Sequence, residues 1–381
     1  MSGHHDETHD LFRTAFRDFV ATEMIPHFDE WERAGIMDRA IYAKAGASGF
    51  VGFNLPESHG GGGSEDFWFN TIVNEELQYA GMGGAGNGMT LVNDILAPYF
   101  VELCTDEQRD RWMPGLAGGE LISAIAMTEP GTGSDLASIA TRAVRDGDEY
   151  VVNGAKTFIT NGINADLVIT VVRTDPDAGR HGLSLLVVER GMAGFERGRN
   201  LDKIGQKSAD TAELFFSDVR VPVANLLGEE GRGMEYLGAN LAQERLSIAI
   251  GGVAVAQAAL EWTVDYVKER TAFGARIADF QNTKFVLAEC ETELAVARPY
   301  VADCVARLNA GEFSAADAAK AKLWGTELQG RVTDKCLQLF GGYGFMTEYP
   351  ISLAYADARV ARIYGGTSEI MKTIIAKDVL S

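Results

Sequence analysis

Positive charge is scarce in this chain. Its 381 residues hold 34 Lys and Arg against 54 Asp and Glu, a formal net charge of -20 at pH 7. Polyanions such as DNA are bound through clustered Lys and Arg, so general nucleic-acid affinity is excluded, and an anionic small ligand needs a local cationic pocket. Long apolar runs are missing too: no uninterrupted stretch approaches the ~20 residues that span a bilayer. Residues 1–10 have neither the apolar core of a signal peptide nor the basic, acid-poor character of a transit peptide. The expectation is a cytoplasmic protein without membrane insertion. Cysteine is sparse, and Cys104, Cys290, Cys304 and Cys336 make neither a metal-ligand spacing nor a disulfide framework. The six histidines form no H-E-x-x-H or related pair. The cysteines therefore read as buried core thiols, and no metal site is expected.

What is present is length and a change of period. A chain of this size exceeds one hydrophobic core, so two or three domains are expected. Residues 7–118 alternate helical stretches with Gly-rich breaks at Ser58 to Ser64 and Gly81 to Gly86. The second break matches G-x-G-x-x-G literally, but helix, not strand, precedes it, so it reads as a helix terminator. From about Glu120 to Val223 the period switches to two, with the turn signals Asp146-Gly147 and Asn153-Gly154 between β-rich runs. No helices alternate with those strands, which excludes a doubly wound nucleotide fold and leaves an antiparallel sheet or barrel. Helix returns near 234–270, 279–310, 315–340 and from about Thr367. The fold class is α+β: an N-terminal α-helical domain (1–119), a central β-domain (120–227) and a C-terminal α-helical bundle (228–381).

Within the long helix, Leu237, Leu241, Glu244, Ile248, Gly252, Val255, Ala259 and Trp262 recur at three- and four-residue steps. One member of this apolar stripe is a carboxylate. Glu244 must either pair with a cation, Arg245 or a distant lysine, or accept a raised pKa. A glutamate of raised pKa suits proton abstraction near neutral pH.

Other segments carry chemistry only in combination. Met127 to Asp135 follows an apolar strand and offers small residues for close backbone approach, with hydroxyls from Thr128 and Ser134. Thr157 to Asn161 sets an aromatic ring beside polar atoms, suited to one face of a flat cofactor. Arg270 is a candidate phosphate partner, because guanidinium binds phosphate bidentately. Taken singly, each is equally a turn, a cap or surface.

In this order and spacing, with Glu269 to Gly274, Phe280-Gln281, Gln338 to Gly342 and Ile363 to Glu369, they resemble the acyl-CoA dehydrogenase family of flavoenzymes from about Asp10 to Val379. The resemblance implies a helical domain, a β-domain and a C-terminal four-helix bundle, with FAD and thioester between the last two. It implies a homotetramer in which FAD contacts a neighbouring subunit, and an electron-transferring flavoprotein as acceptor. It assigns Met127, Thr128, Ser134, Phe158 and Thr160 to the flavin, and Arg270, Phe273, Gln281, Gln338 and Gly342 to the pyrophosphate and adenosine. Thr367 and Glu369 complete that site, while Ser134, Arg245, Gly365 and Gly366 meet the substrate.

One departure stands out. Many members have Tyr-Glu-Gly-Thr where this chain has Tyr364-Gly365-Gly366-Thr367, so their usual catalytic glutamate is replaced by Gly365. The long-chain and isovaleryl branches instead carry the base on the helix in a Glu-Arg pair that Glu244-Arg245 matches, and the long-chain branch is the most similar. The chemistry implied is α,β-dehydrogenation of an acyl-CoA thioester in fatty-acid β-oxidation or related acyl catabolism. Glu244 takes the α-proton, a hydride passes to flavin N5, and the Gly365 N–H with a flavin hydroxyl steadies the carbonyl oxygen. A methyl group at 365 keeps that N–H and is expected to be tolerated where the backbone admits it. Two alternatives are an oxidase or monooxygenase on the same scaffold and a non-catalytic binding protein, the latter disfavoured by the acidic charge.

Overall fold

The computed structural model describes residues 6–381. Seven α-helices open the chain: α1 (Glu7–Phe19), α2 (Phe28–Ala34), α3 (Ala40–Ala47), α4 (Trp68–Tyr79), α5 (Gly83–Thr90), α6 (Ala97–Leu103) and α7 (Asp106–Ala117). Asp6 starts the first by accepting from the His9 N–H, satisfying a donor that a first turn leaves open. Its apolar face buries Phe16 and Phe19, while Arg13 and Arg17 reach Glu75 and Glu76 of α4 at 2.7 and 2.8 Å. Gly81, at φ +74°, ends the α4 helix with Met82 N–H donating to Leu77 O, so the literal G-x-G-x-x-G is a junction between two helices, as expected.

The central segment forms one eight-stranded sheet from β1 (Ser123–Ala126), β2 (Arg142–Asp146), β3 (Glu149–Thr160), β4 (Leu167–Arg173), β5 (Leu183–Glu189), β6 (Phe195–Asn200), β7 (Thr211–Pro222) and β8 (Leu226–Leu227). Strand order is β6-β7-β3-β2-β4-β5-β8, with β1 beside β4. Most pairs are antiparallel, but β1 and β2 each meet β4 in parallel, so the sheet is mixed. Asp146-Gly147 turns the β2–β3 hairpin as expected. Asn153-Gly154 does not turn: it sits inside β3 at a bulge opposite β7. A Cβ on Gly154 would fall 2.4 Å from Thr141 Oγ1, so glycine there serves close packing rather than reversal.

The remaining chain is helical apart from the short β9 (Thr271–Ala272) and β10 (Ala275–Arg276) hairpin: α8 (Gly233–Glu269), α9 (Gln281–Asn309), α10 (Ala315–Phe340), α11 (Pro350–Ala361) and α12 (Ser368–Val379). Helices α8 to α11 make the four-helix bundle, and α12 packs on α10. The sequence periodicity left α11 unseen. Among the described residues α8 alone is long and apolar enough to cross a membrane, yet most of it is buried by α4, α9, α10, α11 and β5, as the core helix of the molecule. Its closest crossing is with α10, where a Cβ on Gly252 would lie 2.9 Å from Gly325 O and one on Gly325 3.0 Å from Ala249 O. That approach explains a glycine in the apolar stripe. All four cysteines are free and buried.

Candidate active site

Glu244 lies one-third of the way along α8 and is 8% exposed, with Arg245 beside it at 7%. Among the described residues no donor hydrogen-bonds to its carboxylate. Burial therefore lifts its pKa from 4.5 to about 6, against the opposing charges of Arg245 and Lys322. Lys322 is a distant lysine that acts on Glu244 through its charge without pairing with it. One turn further along α8, Ser247 Oγ donates to Asp94 Oδ2 at 2.5 Å and Asn70 Nδ2 to Asp94 Oδ1 at 2.8 Å, a buried network behind the carboxylate.

Opposite Glu244 is the turn between α11 and α12. Gly365 and Gly366 have φ of +60° and +95°, a left-handed run that glycine adopts without strain. Their carbonyls are held from behind, Gly365 O by Arg245 Nε at 3.3 Å and Gly366 O by Lys322 Nζ at 2.6 Å. Among the described residues no carbonyl accepts from the Gly365 N–H, which is left for a ligand, while the Gly366 N–H closes the turn that encloses Gly365. A Cβ at Gly365 would point 3.4 Å from Glu244 Oε1 and 2.4 Å from Ile248 Cδ1. A helix-borne glutamate and a turn-borne one thus converge on one place, and a methyl group on the turn would require the Ile248 side-chain end to move. The expected tolerance of a methyl at 365 is conditional on the backbone, and the positive φ there does not meet that condition. Thr367 caps α12 by accepting from Ile370 N–H, and Glu369 is exposed in its first turn.

The other expected residues fall in two further groups. Met127 and Thr128 leave the end of β1 half-buried, with Thr128 O accepting from Thr157 N–H at 2.9 Å; Ser134 is exposed in the loop beyond. Phe158 stands out from an irregularity near the end of β3 at φ +60° and 68% exposure, ahead of half-buried Thr160. Sequence reasoning missed what anchors this loop: fully buried Lys156 donates to Glu129 Oε1 at 2.8 Å and Met127 O at 3.1 Å. The third group lines a groove of about 880 Å³ at the far end of α8, where Arg270, Phe273, Gln338 and Gly342 meet Phe280 and Tyr343. Gln281 sits beside it, at the first turn of α9. Arg270 lies 5.5 Å from the centre of the Tyr343 ring and makes no ion pair among the described residues; Phe273 is fully exposed.

The sequence patterns of the N-terminal, middle and C-terminal domains of acyl-CoA dehydrogenases match residues 6–120, 124–219 and 231–380. The chain belongs to the acyl-CoA dehydrogenase family. It is 47% identical over 374 residues to the mitochondrial long-chain specific acyl-CoA dehydrogenase of Sus scrofa, covering 98% of this chain and 86% of that one. The crystal structure of an acyl-CoA dehydrogenase from Geobacillus kaustophilus superposes with a TM-score of 0.97 at 48% identity, covering the whole of both chains. A glutaryl-CoA dehydrogenase from Mycobacterium smegmatis in complex with FADH2 follows at 25% identity and a TM-score of 0.91, covering 98% of this chain and 95% of that one. Family membership makes the protein an FAD-dependent oxidoreductase acting on CH–CH groups.

The residues present fit that cofactor. An unpaired guanidinium beside open glycines suits a pyrophosphate, since a Cβ at Gly341 or Gly342 would meet nothing within 4 Å. The exposed Phe158 ring, with the Thr128, Ser134 and Thr160 hydroxyls on neighbouring backbone, suits a flat polar-edged ring.

Proposed function

We propose that the protein converts an acyl-CoA thioester to the trans-2-enoyl-CoA with Glu244 as the base. The observation that carries this is the buried carboxylate of raised pKa, unbonded and facing the turn whose Gly365 N–H has no acceptor among the described residues. A thioester α-hydrogen is a poor acid, so the reaction needs both a base and a means of steadying negative charge on the carbonyl oxygen. Glu244 takes the α-proton, and its carboxyl form is the one that the apolar site favours. The Gly365 N–H donates to the thioester oxygen as charge develops there. Arg245, fixed on the Gly365 carbonyl, keeps the turn against α8; Gly366 and Ser134 border the substrate. Bound FAD supplies the acceptor for the hydride that leaves the β-carbon. Met127, Thr128, Ser134, Phe158, Thr160, Thr367 and Glu369 would hold the flavin end.

The same reading makes the protein a homotetramer whose FAD sites are shared between subunits. Glu244 on α8 and Arg270, the extended residue just past its end, stand 26 positions apart, about 39 Å at 1.5 Å per residue. Arg270, Phe273, Gln281, Gln338 and Gly342 are accordingly assigned to the FAD of a neighbouring copy, as the resemblance to the family implies. With the chain divided at 1–119, 120–227 and 228–381, the reading puts the base and the Gly365 turn in the bundle and the flavin-holding loops at 127–134 and 158–160 in the β-domain. The long-chain relative supports long acyl chains, electrons pass to an electron-transferring flavoprotein, and free cysteines accord with a cytoplasmic setting.

Anaerobic titration of the yellow protein with acyl-CoAs of different length and branching tests the proposal, read as loss of flavin absorbance. Bleaching is expected with at least one chain of twelve or more carbons. Absence of bleaching by every acyl-CoA would refute it, and rapid peroxide formation on readmitting air would assign an oxidase instead.

A further inference from the structure

Lys322 is one of the largest fully buried side chains in the protein, and sequence reasoning passed over it. It lies on the inner face of α10, in step with Ala318, Gly325, Gln329 and Val332. Lysine is almost never fully buried unless paired, and among the described residues no carboxylate forms a salt bridge with this one. Its ammonium instead donates to two backbone carbonyls, Ala361 O at 3.0 Å and Gly366 O at 2.6 Å. The first closes α11, where the exposed carbonyls carry partial negative charge. The second belongs to the turn that carries the unclaimed Gly365 N–H.

The same side chain flanks the base. Lys322 Cε and Glu244 Oε1 each lie 3.4 Å from the position that a Gly365 Cβ would take. We propose that Lys322 is a positioning residue for the reaction: its ammonium fixes the turn that presents the Gly365 N–H and supplies a positive charge facing the Glu244 carboxylate. This rests on the reading of Glu244 as base. Two carbonyls alone do not require a buried cation, since a neutral donor would satisfy them without the cost of burying charge. The charge has a use only because a carboxylate stands across the turn.

The groups facing this pair come from four elements. Arg245 adjoins Glu244 on α8, Glu327 follows Lys322 on α10, Tyr364 precedes the glycines, and Tyr99 on α6 feels the Glu244 charge. Burial, aided by Arg245, lowers Lys322 to about 8, while Glu244 and Glu327 oppose that shift. Losing the lysine charge therefore leaves Arg245 as the sole cation acting on Glu244, and the carboxylate binds its proton more tightly.

The test compares wild-type holoenzyme with K322M, K322R and E244Q, reading kcat, KM, the acid limb of kcat/KM and exchange of the substrate α-proton with D₂O. A slightly misplaced donor costs about 10²-fold in rate, and an opposite charge within a few ångströms moves a carboxylate by about 1–3 pH units. K322M is expected to lose about 10²-fold in kcat, to keep KM within about threefold, and to move its acid limb up by about one unit. K322R, which keeps the charge, is expected to retain the wild-type acid limb. If K322M does not yield folded holoenzyme, K322Q replaces it with the same expectations. A neutral variant with the wild-type acid limb and kcat overturns the assignment while E244Q, lacking exchange, upholds the base. Exchange persisting in E244Q overturns both.

Discussion

Replacing Glu244 by Gln separates catalysis from stability, because the structure sets the two against each other. The side chain keeps its shape and loses its basicity. A positioned general base contributes about 10²–10⁴-fold, so turnover and α-proton exchange in D₂O should fall by that factor while FAD and acyl-CoA still bind. Stability should move the other way. The unfolded carboxyl titrates at 4.5 and the folded one at about 6. Between those values the folded chain holds the proton that the unfolded chain has released. Stability therefore falls as pH rises through this window, and the penalty is complete above about 6 and absent below 4.5. At 1.36 kcal/mol per unit, the buried charge costs about 2 kcal/mol at pH 8. Glu244→Gln should thus melt later than wild type at pH 8 and indistinguishably from it at pH 4, measured by thermal unfolding with FAD held in fixed excess. Earlier melting at pH 8 would mean that Glu244 serves as a structural ion-pair partner, and wild-type turnover would reject it as the base.

Wild-type kcat/KM should decline below a pH of about 6, where Glu244 takes up its proton, and the decline should be absent from the residual rate of Glu244→Gln. Gly365→Ala sets its methyl 2.4 Å from Ile248 Cδ1 at a positive φ, so it should lower kcat despite keeping the N–H, and Ile248→Ala in the same chain should recover part of the loss. Kinetics showing Gly365→Ala at wild-type kcat would contradict the turn geometry. Arg270→Ala should weaken FAD retention on gel filtration without moving the acid limb, because about 39 Å of helix separates it from Glu244; a shifted limb would count against the shared-site arrangement.

Legibility followed the reach of the interactions. The helix bounds near 234, 281, 315 and 368 were readable because apolar periodicity and glycine breaks act within one or two turns. Asn153-Gly154 was misread because a bulge and a hairpin turn share the same dipeptide; only the pairing with β7 and the nearness of Thr141 decide between them. The parallel contacts of β1 and β2 with β4 are likewise non-local. At the site, Glu244 was visible as a charge on an apolar face. Lys322 carried the same signal, four positions after Ala318 and three before Gly325 on the buried face of α10, and the stripe test applied to that helix would have found it. Glu129 and Lys156 give no such sign, since neither lies on a periodic helical face.

A loss at one position and a gain at another become one fact once the turn is seen in space. Sequence alone presents Gly365 as a missing acid and Glu244 as an anomalous one, 121 positions apart. The structure places the Cβ vector of the first within 3.4 Å of the carboxylate of the second. Two carboxylates so close in an apolar site would force one to keep its proton, so a chain with the base on the helix gains by having no acid on the turn. Glycine does more than vacate the space. It lets the backbone run through two positive φ values and turn its carbonyls onto Arg245 and Lys322, leaving the Gly365 N–H without an acceptor among the described residues. The absence of the usual glutamate is therefore a condition for the site and not a defect in it.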